Sequence, residues 1–365
     1  MSHAAASPVR DWSGAWRACV ETLFPGYFAL VMATGIISNG MWFEGHRGLS
    51  DLLLAVNAAA YLVLAVMTVA RVALFPRAVW RDLTDPNAVF GFFTLVAATD
   101  VLGVGLGLRG YGGLTLGMWG LALLLWLGLT WLGFMVLMLR GAAARMDIIY
   151  GGWLVAIVAT EAVAVHGVLL TTHFAAPEPL LVFSYMLWGV GVVLYAIFIV
   201  LFAHRVFFAP VKPEQLTSML WVVMGAAAIS TNAGTELILT DSTQPFLRLV
   251  RPFIEGAVLV IWAWATWWIP LLVSLAVWMH SVHHRPLSYT PLAWAFVFPL
   301  GMYALASLRL AHTAGLSALA AASHIMVWIA LAAWVVTALG LVDSLWRHWP
   351  RRQRGTQDHG PAVTR

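Results

Sequence analysis

Three carboxylates stand inside the odd-numbered apolar stretches of this chain, Asp100, Glu161 and Glu236. An ionisable side chain in a membrane-spanning run is disfavoured by roughly 2.5–3.5 kcal/mol on insertion scales and usually faces an interior cavity. Asp100 and Glu161 occupy the same place in a repeated pattern, VAATD at 96–100 and IVATE at 157–161, while VMATG at 31–35 puts Gly35 there. Acids so placed fit either of two roles. They titrate along a solute path, taking protons with the solute, or they bond to neighbouring helices and order the packing. Ionised, they would repel an anion. The same pattern repeats a hydroxyl at Thr34, Thr99 and Thr160, with a weaker copy at Thr231 in AISTN, 228–232. Pore-lining hydroxyls replace part of an ion's hydration shell; hydroxyls in helices equally bond back to their own carbonyl ladder.

A steric element accompanies these groups. In WAFVFPLGMYALAS, 294–307, Phe298 stands directly before Pro299 and above the small residues Gly301, Ala304, Ala306 and Ser307. Proline removes a backbone donor and bends a helix at the preceding turn. A ring held there is either an ordinary core residue or a plug for a narrow path. Phe296, two residues earlier, is the rival ring and points to roughly the opposite face. Pro25, followed by Gly26, opens the first apolar run, and Gly225, Gly234 and Gly301 loosen the seventh and ninth. Interrupted helices expose backbone dipoles to an ion at mid-membrane. Pro270 reads as a kink in a lipid-facing helix.

Other chemistry finds little support. His280, His283 and His284 form HxxHH, which resembles the histidine boxes of membrane di-iron oxygenases, and imidazoles so spaced bind iron. Such enzymes use several boxes, and His166, His173, His204, His312 and His324 form no second cluster. A basic helix end complementing the helix dipole together with Arg285 accounts for the same residues. The single cysteine, Cys19, leaves no intramolecular disulfide and no thiolate cluster. There is no phosphate-binding glycine loop, zinc spacing or nucleophile elbow. We expect no catalytic residue, no metal and no cofactor.

The elements that must position these groups follow from composition. Of 365 residues, 61% are apolar and 10% charged, far too few charges for a soluble chain of this length. The net charge of +4 is scattered between apolar runs rather than gathered in one patch, so nucleic acid is not an expected partner. A spanning helix needs about 20 apolar residues. Ten runs qualify: Phe24–Met41, Leu52–Phe75, Val89–Leu108, Leu114–Leu139, Gly152–Thr171, Leu180–Phe207, Leu216–Thr240, Phe253–His280, Pro291–Leu308 and Ser317–Trp346. With both termini on one side, that side carries 15 of the 20 basic residues, leaving Arg47, Arg109, Arg248, Arg251 and Arg309 opposite. Positive charge marks the cytoplasmic face, so we expect both termini in the cytoplasm of a plasma-membrane protein of bacterial inner-membrane type. The opening segment lacks the apolar core of a cleavable signal. The domain expectation is a solvated cytoplasmic segment over 1–23, a membrane domain over 24–348 and a basic cytoplasmic tail over 349–365.

The fold expectation is an all-α integral membrane protein built of five helical hairpins. The first four odd runs carry the small-polar repeat and the ninth replaces it with FVFPLG, whereas even runs such as LALLLWLGLTWLGFMVLML are bulky on every face. Small residues permit close backbone approach or leave open space; bulky ones suit lipid. The odd helices therefore form an inner ring around a central path and the even helices an outer ring. On this arrangement the pore-lining candidates are Thr34, Thr99, Asp100, Thr160, Glu161, Thr231 and Glu236, with Pro25 and Pro299 as helix kinks.

FPGYFALVMATGIIS in the first run, GWLVAIVATEAVAVHG in the fifth, WVVMGAAAISTNAG in the seventh, and ATWWIPLL with RPLSYTPLAWAFVFPLGMY in the eighth and ninth resemble the tellurite-resistance/dicarboxylate transporter family. That family includes the bacterial tellurite-resistance protein, the fungal malate permease and the plant guard-cell slow anion channels. The resemblance runs from about Phe24 to Trp346. It implies a homotrimer with one pore per subunit, closed by a phenylalanine of the ninth helix, which falls on Phe298 here. It implies small anionic solutes: chloride or nitrate in channels, malate and other dicarboxylates in transporters. Export of tellurite or another toxic solute is the alternative within transport, and a membrane-bound metal oxygenase the alternative outside it.

Overall fold

The computed structural model describes residues 12–140, 151–174, 176–208, 218–240, 245–282, 284 and 289–351. In chain order its helices are α1 (Trp12–Glu21), α2 (Ala29–Phe43), α3 (Arg47–Leu74), α4 (Pro76–Leu83), α5 (Phe93–Gly107) and α6 (Gly112–Arg140). They continue as α7 (Leu154–Leu170), α8 (Glu178–Phe208), α9 (Val222–Leu239), α10 (Pro245–Ser281), α11 (Trp294–Ala314) and α12 (Ser317–Arg351). Among the described residues there are ten helices, all but α1 and α4, that with their leading turns are long and apolar enough to cross a membrane. Each coincides with one of the ten apolar runs.

The short-loop connectivity pairs them as five hairpins. The odd-numbered spans α2, α5, α7, α9 and α11 pack side by side in a closed ring, α11 returning to α2. The remaining five surround them. Between 78 and 94% of the most apolar stretch of each inner span is buried, against 11 to 39% for the outer spans. That contrast matches the sequence: an inner helix made of Ala, Gly, Val and Thr can be enclosed on all sides, and an outer helix studded with Leu and Trp must keep an apolar face for lipid.

Every inner helix is entered through a 3₁₀ turn: Pro25–Phe28, Val89–Phe92, Gly151–Trp153, Ser218–Trp221 and Pro291–Ala293. Each turn touches the next, and the fifth touches the first. Pro25 lies in the first of them, where its missing N–H belongs to a group with no helical partner anyway; its carbonyl accepts a bond from the Thr94 hydroxyl of α5 at 3.1 Å. The five inner helices are parallel, so five N-terminal ends converge on one mouth.

The repeated hydroxyls bond to neighbouring helices and back to their own carbonyl ladder. Trp334 of α12 donates its indole N–H to Thr34 Oγ1 at 2.8 Å, Tyr61 of α3 pairs with Thr99 at 2.9 Å, and Trp126 of α6 donates to Thr160 at 2.8 Å. The other two hairpins make equivalent links, Trp188 of α8 to the Ser230 carbonyl at 3.0 Å and Trp262 of α10 to Ser307 at 2.9 Å. Each outer helix thus ties to the inner helix of the next hairpin, and α12 closes the belt onto α2. Thr34, Thr99 and Thr160 also donate to the carbonyl four residues back, which completes their bonding. Each such indole–hydroxyl hydrogen bond contributes roughly 1 kcal/mol. We therefore expect Trp126→Phe and Trp334→Phe each to lower the thermal midpoint in detergent, the double variant about additively; unchanged midpoints would remove the belt from the account of stability.

Within the opening segment, residues 12–21 form the helix α1, whose described side chains are mostly exposed, while Val20 and Leu23 bury against the bundle. Arg71 of α3 anchors it, donating from Nε to the Glu21 carbonyl at 3.1 Å and pairing with Asp82 of α4 at 2.6 Å. Residues 1–11 of that segment and 352–365 of the expected tail lie outside the described residues.

Candidate functional site: a five-helix path with an apolar constriction

All five inner helices contribute to one cavity with about 460 Å³ of empty space, part of it open to solvent. Apart from the adjacent pair Asp100 and Val101, its lining residues keep a helical period. Ile36, Asn39 and Phe43 come from α2, Asp100, Val101 and Val104 from α5, Ala162, Val165 and Leu169 from α7, Ile229, Asn232 and Glu236 from α9, and Met302 and Leu305 from α11. Spacings of three, four and seven place each set on one helix face. The cavity sits toward the C-terminal ends of the inner helices, on the side away from the ring of turns.

Stepping back one turn, four residues, along each of those faces reaches Met32, Ala97, Val158, Gly225 and Phe298. All five are buried. This turn lies between the cavity residues and the 3₁₀ turns along each helix, and it is wholly apolar. Phe298 is its one aromatic ring. At the residue after it, α11 presses on α9: a Cβ built on Gly225 would lie 2.8 Å from Pro299 Cγ, so only glycine lets α11 approach α9 here. Helix α11 continues through Pro299 without a break. Phe296 points away and packs edge-on against Trp221 with centroids 4.6 Å apart, whereas Phe298 stacks on no ring among the described residues.

Of the seven pore-lining candidates, the cavity brings together two, Asp100 and Glu236. Thr34, Thr99, Thr160 and Thr231 lie on the opposite helix faces. The hydroxyl of Thr231 donates to Ala227 O at 3.0 Å, the back-bond that its alternative reading anticipated. Glu161 turns toward α8: a Cβ at Gly191 would lie 2.7 Å from its carboxyl carbon, so α8 carries glycine where that carboxylate presses. Its two oxygens have no hydrogen-bond partner of good geometry among the described residues, although the Ser230 hydroxyl, bonded to Ala226 O, stands close enough to interact. We expect Glu161→Gln to leave solute flux in proteoliposomes within roughly twofold of wild type, a barrier change below about 0.5 kcal/mol. A larger loss would return Glu161 to the path.

The two cavity acids are both neutralised, and sequence reasoning missed both partners. Arg309 of α11 grips Glu236 with Nε on Oε1 and Nη2 on Oε2, each at 2.6 Å, while its guanidinium lies 4.6 Å over the Phe43 ring. Asp100 Oδ1 meets His166 Nδ1 at 2.8 Å, and His166 Nε2 meets Thr115 Oγ1 at 2.8 Å. Thr115 must spend its one hydroxyl proton on the Gly103 carbonyl, 2.8 Å away, because a carbonyl only accepts. Nε2 therefore carries a hydrogen, and the Nδ1–Oδ1 contact needs another. Whether that second proton sits on the histidine or on the carboxyl, the pair is electrically neutral. His166 lies five residues after Glu161 in IVATEAVAVHG, and the sequence places it on the same helix without saying which neighbour it meets.

Among the described residues, no three His, Cys, Asp or Glu side chains gather as a metal site. His280 bonds its own helix at Ala276 O, 2.8 Å, and His283 and Arg285 lie outside the described residues.

Comparison with known proteins agrees with this architecture. A family model described as voltage-dependent anion channel matches residues 22–342. An uncharacterized membrane protein of Mycobacterium tuberculosis is 36% identical over 141 residues, 39% of this chain and 71% of its own length. Two uncharacterized transporters of Methanocaldococcus jannaschii are each 22% identical over 90% of this chain, covering 96% and 94% of their own lengths.

Proposed function

We propose, from the premise that the chain belongs to the voltage-dependent anion channel family, that it passes small inorganic anions or C4-dicarboxylates such as malate through its own central path, with Phe298 as the gate. Transport of anions in the broad sense follows from the family. The finer reading rests on one observation above all: five parallel helices line one cavity, and the turn beneath it is an apolar layer with a single ring. A hydrophobic constriction closes a path by excluding water, without any charged barrier. Five helix N-termini at the mouth favour an approaching anion, each end carrying roughly half a positive charge. Neutralised acids in the cavity remove the objection that carboxylates would repel it.

Homotrimeric assembly, both termini in the cytoplasm and residence in the plasma membrane complete the proposal, and light scattering of the purified protein checks the first. The deciding experiment is anion flux into proteoliposomes, nitrate against malate, for wild type and Phe298→Ala. Selective flux that rises in the variant supports the reading; equal impermeability in both, with folded protein, rejects it. Export of tellurite predicts instead that tellurite competes with nitrate in the same assay.

A further inference from the structure

We infer that the Asp100–His166 pair is a proton-binding site coupled to occupancy of the cavity by an anion. The inference rests on reading that cavity as part of an anion path. The pair bridges α5 and α7, both partners are about 1% exposed, and Asp100 lines the cavity. One proton is already shared in the Nδ1–Oδ1 contact, and Oδ2 has no hydrogen-bond partner among the described residues. Oδ2 is therefore the open acceptor for one more. A proton arriving there from cavity water forms an O–H bond, leaves the shared proton in place and takes the pair from neutral to a charge of +1. No electron moves and no other bond breaks.

The sign of the coupling follows. An anion in the cavity stabilises the +1 state and disfavours the neutral one, so binding draws a proton in. By reciprocity, a bound proton tightens the anion by the same factor. Other ionisable groups around the pair leave this balance in place. Tyr61 of α3 is held by Thr99. From α6 only the Thr115 hydroxyl reaches the pair. Glu161 of α7 faces α8. Glu236 of α9 and Arg309 of α11 cancel in a direct ion pair, as do Arg109, just after α5, and Asp51 of α3, 2.7 Å apart. From α2 the neighbour is the uncharged Asn39, whose Nδ2 donates to the Val101 carbonyl at 3.2 Å. His173, following α7, lies against Gly112 at the start of α6, beyond the pair. No fixed charge next to the pair already supplies what the second proton would add.

The test uses the full-length protein in detergent with nitrate as probe. Nitrate added to a weakly buffered solution containing a pH dye should raise the pH, approaching one proton taken up per nitrate bound, and apparent nitrate affinity should strengthen by up to about tenfold per pH unit on acidification. Asp100→Asn should abolish the uptake and flatten the pH dependence of nitrate flux in vesicles. His166→Gln serves as the second variant if Asp100→Asn does not fold. Absence of uptake in wild type, or uptake unchanged in both variants, overturns the inference. Proton uptake on nitrate binding with no nitrate flux even in Phe298→Ala vesicles would support the proton site and reject the conduction reading, so the two fail separately.

Discussion

Phe298→Ala should raise nitrate flux through reconstituted protein by tenfold or more, the change produced when a barrier falls by about 1.4 kcal/mol. The ring belongs to a layer whose other members are Met32, Ala97, Val158 and Gly225, all buried and none able to bond a dehydrated ion. Replacing it by a methyl group removes the one ring of the layer. The competing account makes Phe298 a core residue like any other. That account predicts a stability loss of about 3–5 kcal/mol for Phe→Ala and no gain in flux. The two readings separate cleanly if flux and thermal midpoint are measured on the same preparations. Phe298→Leu should fall between wild type and alanine in flux, and Phe296→Ala should destabilise without conducting, since its ring packs on Trp221.

Much of this arrangement was legible in the sequence, for reasons that can be named. Ten spans and their alternation into enclosed and lipid-facing helices follow from residue size and hydropathy, and three of the inner helices carry the Ala-Thr repeat at equivalent structural positions. Which face of each helix met the path was not legible. Thr34, Thr99 and Thr160 were conspicuous in the repeat, yet their partners are Trp334, Tyr61 and Trp126, up to 300 residues away. A repeated hydroxyl marks a repeated environment, and here that environment is the seam between rings. The signal that could have redirected the reading is register. In α11, Phe298 lies four and seven residues before the cavity residues Met302 and Leu305 and so shares their face. In α9, Thr231 lies one residue before Asn232 and two after Ile229, off the face those residues define. Charge neutralisation was hidden for the same reason, since Arg309 and Glu236 are 73 residues apart.

That hidden pair carries the second large prediction. Arg309→Met should depress nitrate flux about thirtyfold, because Glu236 then stands in the cavity as an uncompensated carboxylate. A unit charge on the order of 8 Å from a passing anion, at an effective dielectric of about 20, adds roughly 2 kcal/mol to its energy. The substitution keeps an unbranched apolar stem over the Phe43 ring, so packing changes less than charge. Stability should fall as well, since breaking one partner of a buried pair leaves the other desolvated and unpaired. The double variant Glu236→Gln/Arg309→Met separates the two effects: neutral on both sides, it should recover most of the lost flux. Glu236→Gln alone leaves the cation without its counter-charge and should strengthen anion binding relative to wild type. If Arg309→Met conducts like wild type while folded, the cavity charge is not felt by the permeating ion, and the route through the five inner helices would have to bypass Glu236.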